Sequence, residues 1–206
     1  MKNNFLAIIL IFGLSSSLFS QKKGDVEFGL NLGLNNSTAS DSQYSLDPGY
    51  GFNVGGSIDY YFASDWSIKA KLIYDQKGWN NDFIEDVNTG NVYPTDVNLN
   101  YLTIPVMAGW HFGNNNMWYL NFGLYMGFLL DAKETRFDSD ITDYFNTTDT
   151  GLALGIGVKL PVSKKIKVFI EYDGQGGFND VLKDNPYSAV NNTRSSLNVG
   201  INFLMK

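Results

Sequence analysis

The chain offers few residues suited to chemistry. It holds a single histidine, His111, and no cysteine, which excludes thiol nucleophiles, disulfides and a lipid-anchored cysteine. A zinc site needs about three protein ligands. His111 stands beside a short turn among aromatic residues, and its position reads as an interfacial histidine with a wet edge. Ser37, Ser40, Ser42 and Ser45 have no histidine to activate them and read as solvated loop. Acidic residues gather at Asp82, Glu85, Asp86 and Asp96, and again at Asp131, Glu134, Asp138, Asp140 and Asp143. Calcium favours such oxygen-rich loops, but neither run has spaced ligands closed by a distal Glu. Nothing fixes two of these carboxylates at a separation useful for hydrolysis. The sequence therefore predicts no catalytic, metal or cofactor site and no enzyme.

A second set of charges is more informative because it follows a period of two. Glu27, Asp59, Lys69, Lys71, Asp75, Lys159, Lys167, Glu171 and Asp173 each alternate with apolar residues in stretches of about ten, the signature of strands. Eight such stretches follow Asp25. In the first, Val26, Phe28, Leu30, Leu32 and Leu34 share one face, while Asp25, Glu27, Gly29, Asn31 and Gly33 share the other. In the fifth, Leu120, Phe122, Leu124, Met126 and Phe128 oppose Tyr119, Asn121, Gly123, Tyr125 and Gly127. Pro105 interrupts the fourth and predicts a bulge or local irregularity, since proline donates no ladder hydrogen bond.

Alternation alone does not say which face is outside, because a lipocalin-like soluble barrel alternates equally well. Two features point to lipid. Tyr60, Phe62, Trp66, Trp110, Phe112 and Trp118 fall on the apolar face, all at one end of their strands, as a girdle at a membrane interface does. Short connections at 63–65, 113–117 and 161–164 also alternate with long polar ones near 35–50, 78–96, 131–150 and 179–192. The expected fold is all-β: an eight-stranded antiparallel up-and-down transmembrane β-barrel, short turns periplasmic and long loops outside. Closure removes exposed sheet edges, and an even strand number puts both termini in the periplasm.

Residues 1–20 read as a secretory signal peptide, with Lys2, an apolar run from Phe5 to Leu14, and a small-residue tail to Ser20. Residues 21–206 then form one barrel domain. A net charge of -6 argues against a nucleic-acid partner, which would need a basic face. Aromatics at 15% against 17% charged residues, with 21 glycines, suit a surface that meets lipid. The partners expected are outer-membrane lipid, the barrel-assembly machinery during insertion, and a protein partner reached through the extracellular loops.

The fourth stretch reads Tyr101-Leu102-Thr103-Ile104-Pro105-Val106. It resembles a strand of the PorT-like outer-membrane β-barrel family of Bacteroidetes. A Gly- and Asn-rich first strand after Gln21-Lys22-Lys23 and the last strand, Ser196 to Phe203, extend the resemblance over nearly all of the mature chain. It implies an eight-stranded barrel, a namesake that takes part in assembling a secretion system, and no residue-level site. Such barrels usually end on or near an aromatic, whereas Leu204-Met205-Lys206 follow Phe203 here.

Eight strands enclose an interior that side chains just fill, and buried charges persist only when partnered. The nine charges above, with Tyr61, Tyr101, Tyr119 and Tyr125, therefore predict a polar plug. Two classes of function follow: an interaction or scaffold barrel working through four long loops, or a small pore for ions or small solutes.

Overall fold

The computed structural model describes residues 21–40, 46–86 and 88–205; the signal peptide expected over 1–20 lies outside them, as do Ser42 and Ser45. Eight antiparallel strands form a closed barrel: β1 Val26–Ser40, β2 Asp47–Tyr61, β3 Trp66–Glu85, β4 Val92–Phe112, β5 Trp118–Glu134, β6 Thr148–Pro161, β7 Ile166–Gly177 and β8 Asn191–Met205. Each strand pairs with its sequence neighbour, and β1 closes on β8 through Val26↔Met205 to Ser40↔Asn191.

The sidedness of the strands decides between the two barrel types. Leu30, Leu32, Leu72, Val106, Leu124, Leu154, Ile170 and Val199 are all exposed on the outside. Glu27, Asp59, Lys69, Asn121, Lys159 and Glu171, from the alternate positions, are buried inside. An apolar band running round a whole barrel has no counterpart on a water-soluble surface. The outer face therefore meets lipid, and the lipocalin-like arrangement is excluded. At the short-turn edge of the band Trp66 and Trp110 stack at 6.5 Å, Trp110 and Phe112 at 4.8 Å.

The strands are longer than their alternating cores. β3 and β4 run to 20 and 21 residues, although about 9–11 cross a membrane. The stretch 78–96 expected as a long loop is mostly a β-hairpin that carries on past the lipid band, with only 86–91 connecting its strands. A register shift between Trp79 and Asp82, where Gly78 has φ 145° and Asn81 φ 57°, bends it there. Polar residues on both faces hid this hairpin, since outside lipid neither face has to be apolar. Pro105 brings the expected local irregularity without a bulge: the β3–β4 ladder is interrupted between Ala70↔Val106 and Ile73↔Thr103, with the same register on both sides, while on the β5 side Pro105 pairs regularly with Tyr125. The β4–β5 register shifts instead between Asn100 and Tyr101, where Leu130 of β5 is the extra residue.

Inside, aromatic rings cover the glycines that face them. Tyr119 pairs with Gly157, and a Cβ added at Gly157 would lie 2.4 Å from the Tyr119 hydroxyl. Phe169 lies likewise over its partner Gly200, with 2.5 Å from such a Cβ to the ring. The sidedness gives a direct test. Leu124→Arg, on the middle of the outer band, should lose roughly 2–4 kcal/mol of folding free energy. Val92→Arg, exposed at the hairpin tip, should be near neutral. Urea titrations of folding into lipid vesicles measure both.

Candidate functional site

All nine charges singled out by their period line the lumen and are buried. At the short-turn end, Lys159 Nζ donates to Glu27 Oε2 at 2.8 Å, Asp59 Oδ2 at 2.8 Å and the Tyr61 hydroxyl at 2.9 Å. Lys167 also donates to Glu27. Lys69 lies 3.5 Å from Asp59 and 3.8 Å from Glu171. One layer further, Lys71 donates to Glu171 and, at 3.3 Å, to Asp173 Oδ2. Arg194 then bridges Asp173 Oδ1 at 2.9 Å and Asp75 Oδ2 at 3.3 Å. The last layer joins Lys77 Nζ to Asp149 Oδ2 at 2.9 Å, with the Tyr125 hydroxyl donating to Asp149 Oδ1 at 3.0 Å.

Lys77, Asp149 and Arg194 belong to this network and escaped the sequence reading. Lys77 and Arg194 stand one period of two beyond the inward positions drawn from alternation, Asp75 and Ser196, and Asp149 stands two periods before Ala153. Extending the period by one or two steps would have found all three. With them the described lumen balances. Six acids, Glu27, Asp59, Asp75, Asp149, Glu171 and Asp173, meet six bases, Lys69, Lys71, Lys77, Lys159, Lys167 and Arg194. Neutral side chains fill the gaps between layers: Asn31 donates to Asn53, Asn53 to Ser196, and Asn198 to Asp173. Lys69 also lies 5.0 Å from the Tyr119 ring centre, and Lys77 4.7 Å from that of Tyr125.

His111 differs from its expected position. It has no wet edge but is buried in the lumen, between the rings of Tyr61 at 4.8 Å and Tyr119 at 5.9 Å. Its Nε2 lies 3.0 Å from Ser67 Oγ, which also donates to Asp59 Oδ1 at 3.5 Å. Serine, histidine and aspartate meet, but in the wrong order for nucleophilic catalysis. There the carboxylate orients the imidazole from Nδ1, whereas Asp59 binds the serine. Of the serines read as loop, Ser37 is buried and donates to the Gly78 carbonyl at 3.0 Å, and Ser40 ends β1.

With the barrel and its lumen described, the comparison with known proteins is direct. Residues 19–183 match the outer membrane protein beta-barrel domain family. The chain belongs to this family. Solved barrels share its fold at low identity. The outer membrane protein OprG from Pseudomonas aeruginosa is 11% identical, with a TM-score of 0.54 over 92% of this chain and 99% of that one. Neisserial surface protein A is 19% identical, with 0.51 over 85% and 96%. AlkL, solved in lipid bilayers, is 12% identical, with 0.54 over 90% and 92%. No curated protein matches the sequence.

This outer-membrane barrel is not polar throughout its length. Beyond the layer of Lys77 and Asp149 the interior turns apolar, and Trp79, Val97, Leu99, Ala132, Phe145 and Val181 pack as one cluster at the long-loop end. Phe145 comes from the β5–β6 connection, which folds back over the mouth and sets its ring 6.0 Å from that of Trp79. That connection is pinned by Glu134, above the apolar band. Its carboxylate accepts from Thr95 Oγ1 at 2.8 Å and from the backbone N–H groups of Arg136, Phe137 and Ser139 at 2.7–2.9 Å. Burial pushes this carboxyl up, but the donors from Ser139, Thr95 and Phe137 outweigh it and hold it down at about 2.

Two outcomes follow. Lys159→Met leaves Glu27 and Asp59 short of a shared cation and should cost about 3–5 kcal/mol in unfolding titrations, as breaking a buried ion pair does. Adding Asp59→Asn, which restores the balance, should recover much of that loss. For Glu134, a folded-state value below the ordinary 4.5 means that its hold on the loop is complete above that value and fades as pH falls towards about 2. The amide resonances of Phe137 and Ser139 should titrate with that low midpoint, and Glu134→Gln should abolish the titration.

Proposed function

We propose that this barrel is a non-enzymatic outer-membrane scaffold that meets a protein partner through its long-loop end, with the lumen serving as a structural plug. In this reading the long loops face the cell exterior and both termini lie in the periplasm, the usual arrangement for barrels with one short-turn and one long-loop end. The observation that supports a plug is the balanced set of lumen charges, each acid within ion-pair distance of a base. Two voids that touch this network, one beside Lys71 and Asp173 and one beside Gln21 and Lys159, are about 10 Å³ each. That is room for a single water. A larger one that reaches Lys71 lies among the outward-facing Phe28, Leu30, Leu72 and Phe203. The resemblance to the PorT-like family favours a partner within a secretion assembly, with the barrel-assembly machinery and lipid as the contacts made during insertion.

The alternative is a small pore for ions or small solutes, and the lumen lysines and carboxylates are what such a pore would use to choose its ions. Purified protein in planar bilayers separates the two. A plug should show no steady conductance, and Lys69→Ala with Lys71→Ala should lower stability. A steady conductance whose ion selectivity changes with those substitutions would establish the pore. For the interaction itself, a photo-crosslinking residue at Tyr144 or Tyr187, both highly exposed at the long-loop end, should capture one defined protein in intact cells. Silence from every long-loop position would remove the interaction reading.

A further inference from the structure

The long-loop end holds a cleft of about 900 Å³, the size of a site for a small organic molecule. The β3–β4 hairpin forms one wall through Phe83 and Ile84. The β5–β6 connection forms the other through Phe137 and Tyr144, and Trp79 and Phe145 lie at the floor. Both walls are fixed. The hairpin is a paired ladder from Asp82↔Thr95 to Glu85↔Val92. The connection is held by Glu134, by the bridge Lys133↔Asp140, and by Phe145↔Leu182 to the β7–β8 connection. Phe83, Phe137 and Tyr144 are nevertheless exposed, although Phe137 also meets the Tyr93 ring edge-on at 5.8 Å.

The charges on this cleft have one sign. Asp82, Glu85, Asp86 and Asp140 line it together with Glu134, and no lysine or arginine does among the described residues. Glu134 is occupied by its four donors. Asp82 accepts from Trp79 Nε1 and its neighbour's N–H, and Asp86 closes a turn with Asn88 and Thr89. Asp140 accepts from the Thr142 N–H through Oδ1. Of the nearby cations, Lys133 lies 3.9 Å from Asp138 and its charge also reaches Asp140, while Arg136 sits over the Tyr93 ring. No ion pair reaches the four rim carboxylates among the described residues. Glu85 and Asp140 are exposed at the rim, where water screens any single pair, so what they offer a ligand is the summed field of several charges of one sign.

We infer that this cleft binds an amphipathic organic cation, an aromatic or aliphatic body carrying an ammonium group, with the body between Phe83 and Phe137 and the charge towards Glu85 and Asp140. An anion would meet only like charge, and a neutral body would leave the carboxylates without a counterion. The inference rests on the reading of the long-loop end as the working surface, and it adds the chemistry of a ligand there.

The test uses the full barrel in phosphatidylcholine nanodiscs, with protein-free discs as the baseline for partition into lipid. Dansylcadaverine is the cationic probe, and dansylglycine carries the same fluorophore on an anion. Dansylcadaverine should bind saturably above the baseline, and dansylglycine should not. Glu85→Gln with Asp140→Asn should weaken the cation several-fold, the effect of losing two exposed charge partners. Phe83→Ser with Phe137→Ser, both exposed, should weaken it through the apolar body. Heat-modifiable gel migration confirms that each variant is a folded barrel. Equal binding of the two probes, no binding above the baseline, or an unchanged affinity in the carboxylate variant overturns the inference. A protein partner still captured from Tyr144 or Tyr187 would in that case leave the scaffold reading standing. Probe binding without any captured partner would have the opposite effect on the two.

Discussion

Lys159 crosses the lumen from β6 to Glu27 on β1 and Asp59 on β2, and the interior within the lipid band is organised in the same way. A closed sheet of eight strands leaves space for side chains and little water, while its outside must be apolar to lie in lipid. Polar residues on the alternate positions therefore have only one another as partners. A buried charge left alone is costly, so each acid must meet a base that the barrel geometry brings to it. Lys71 on β3 meets Glu171 on β7, and Lys159 on β6 meets Asp59 on β2, strands on opposite sides of the ring that share no backbone hydrogen bonds. The ion pairs thus brace the barrel across its diameter, where the backbone ladder cannot.

The space between these braces is filled by shape. Tyr119 and Phe169 need a facing position without a Cβ, and Gly157 and Gly200 provide it. His111 has the same use: set between Tyr61 and Tyr119 and bonded to Ser67, it fills a layer next to Asp59 and Lys159. Its burial also explains why a serine, a histidine and an aspartate can meet without forming a reactive site. Asp59 binds Ser67 and the buried His111 Nδ1 has no hydrogen-bond partner among the described residues, so no carboxylate orients the imidazole.

The change of lumen character along the axis separates two tasks. Within the lipid band the interior is charged and braced. Beyond Lys77 and Asp149 it is a small apolar core roofed by Phe145 and bounded by the projecting β3–β4 hairpin. Glu134 ties that roof down with backbone donors, so the long-loop end is a built surface with defined walls. The match to the outer-membrane barrel family, over residues 19–183, spans both parts.

The sequence by itself determined the strand count, the sidedness and most of the charged lumen, because lipid on one face enforces strict alternation and leaves a period of two in plain view. Glu27, Asp59, Lys69 and Glu171 were legible for that reason. Lys77, Asp149 and Arg194 lay one or two steps past the point where alternation faded, and the β3–β4 hairpin at 78–96 was hidden because water on both faces imposes no pattern. Only the tertiary structure decided which acid meets which base, since partners on opposite strands depend on the stagger of the closed sheet and not on any local spacing. It alone brought Trp79, Phe145 and Val181 into one core and set the rim carboxylates over it. Those contacts join loops far apart in the chain, and their long-range packing leaves no period for the sequence to show.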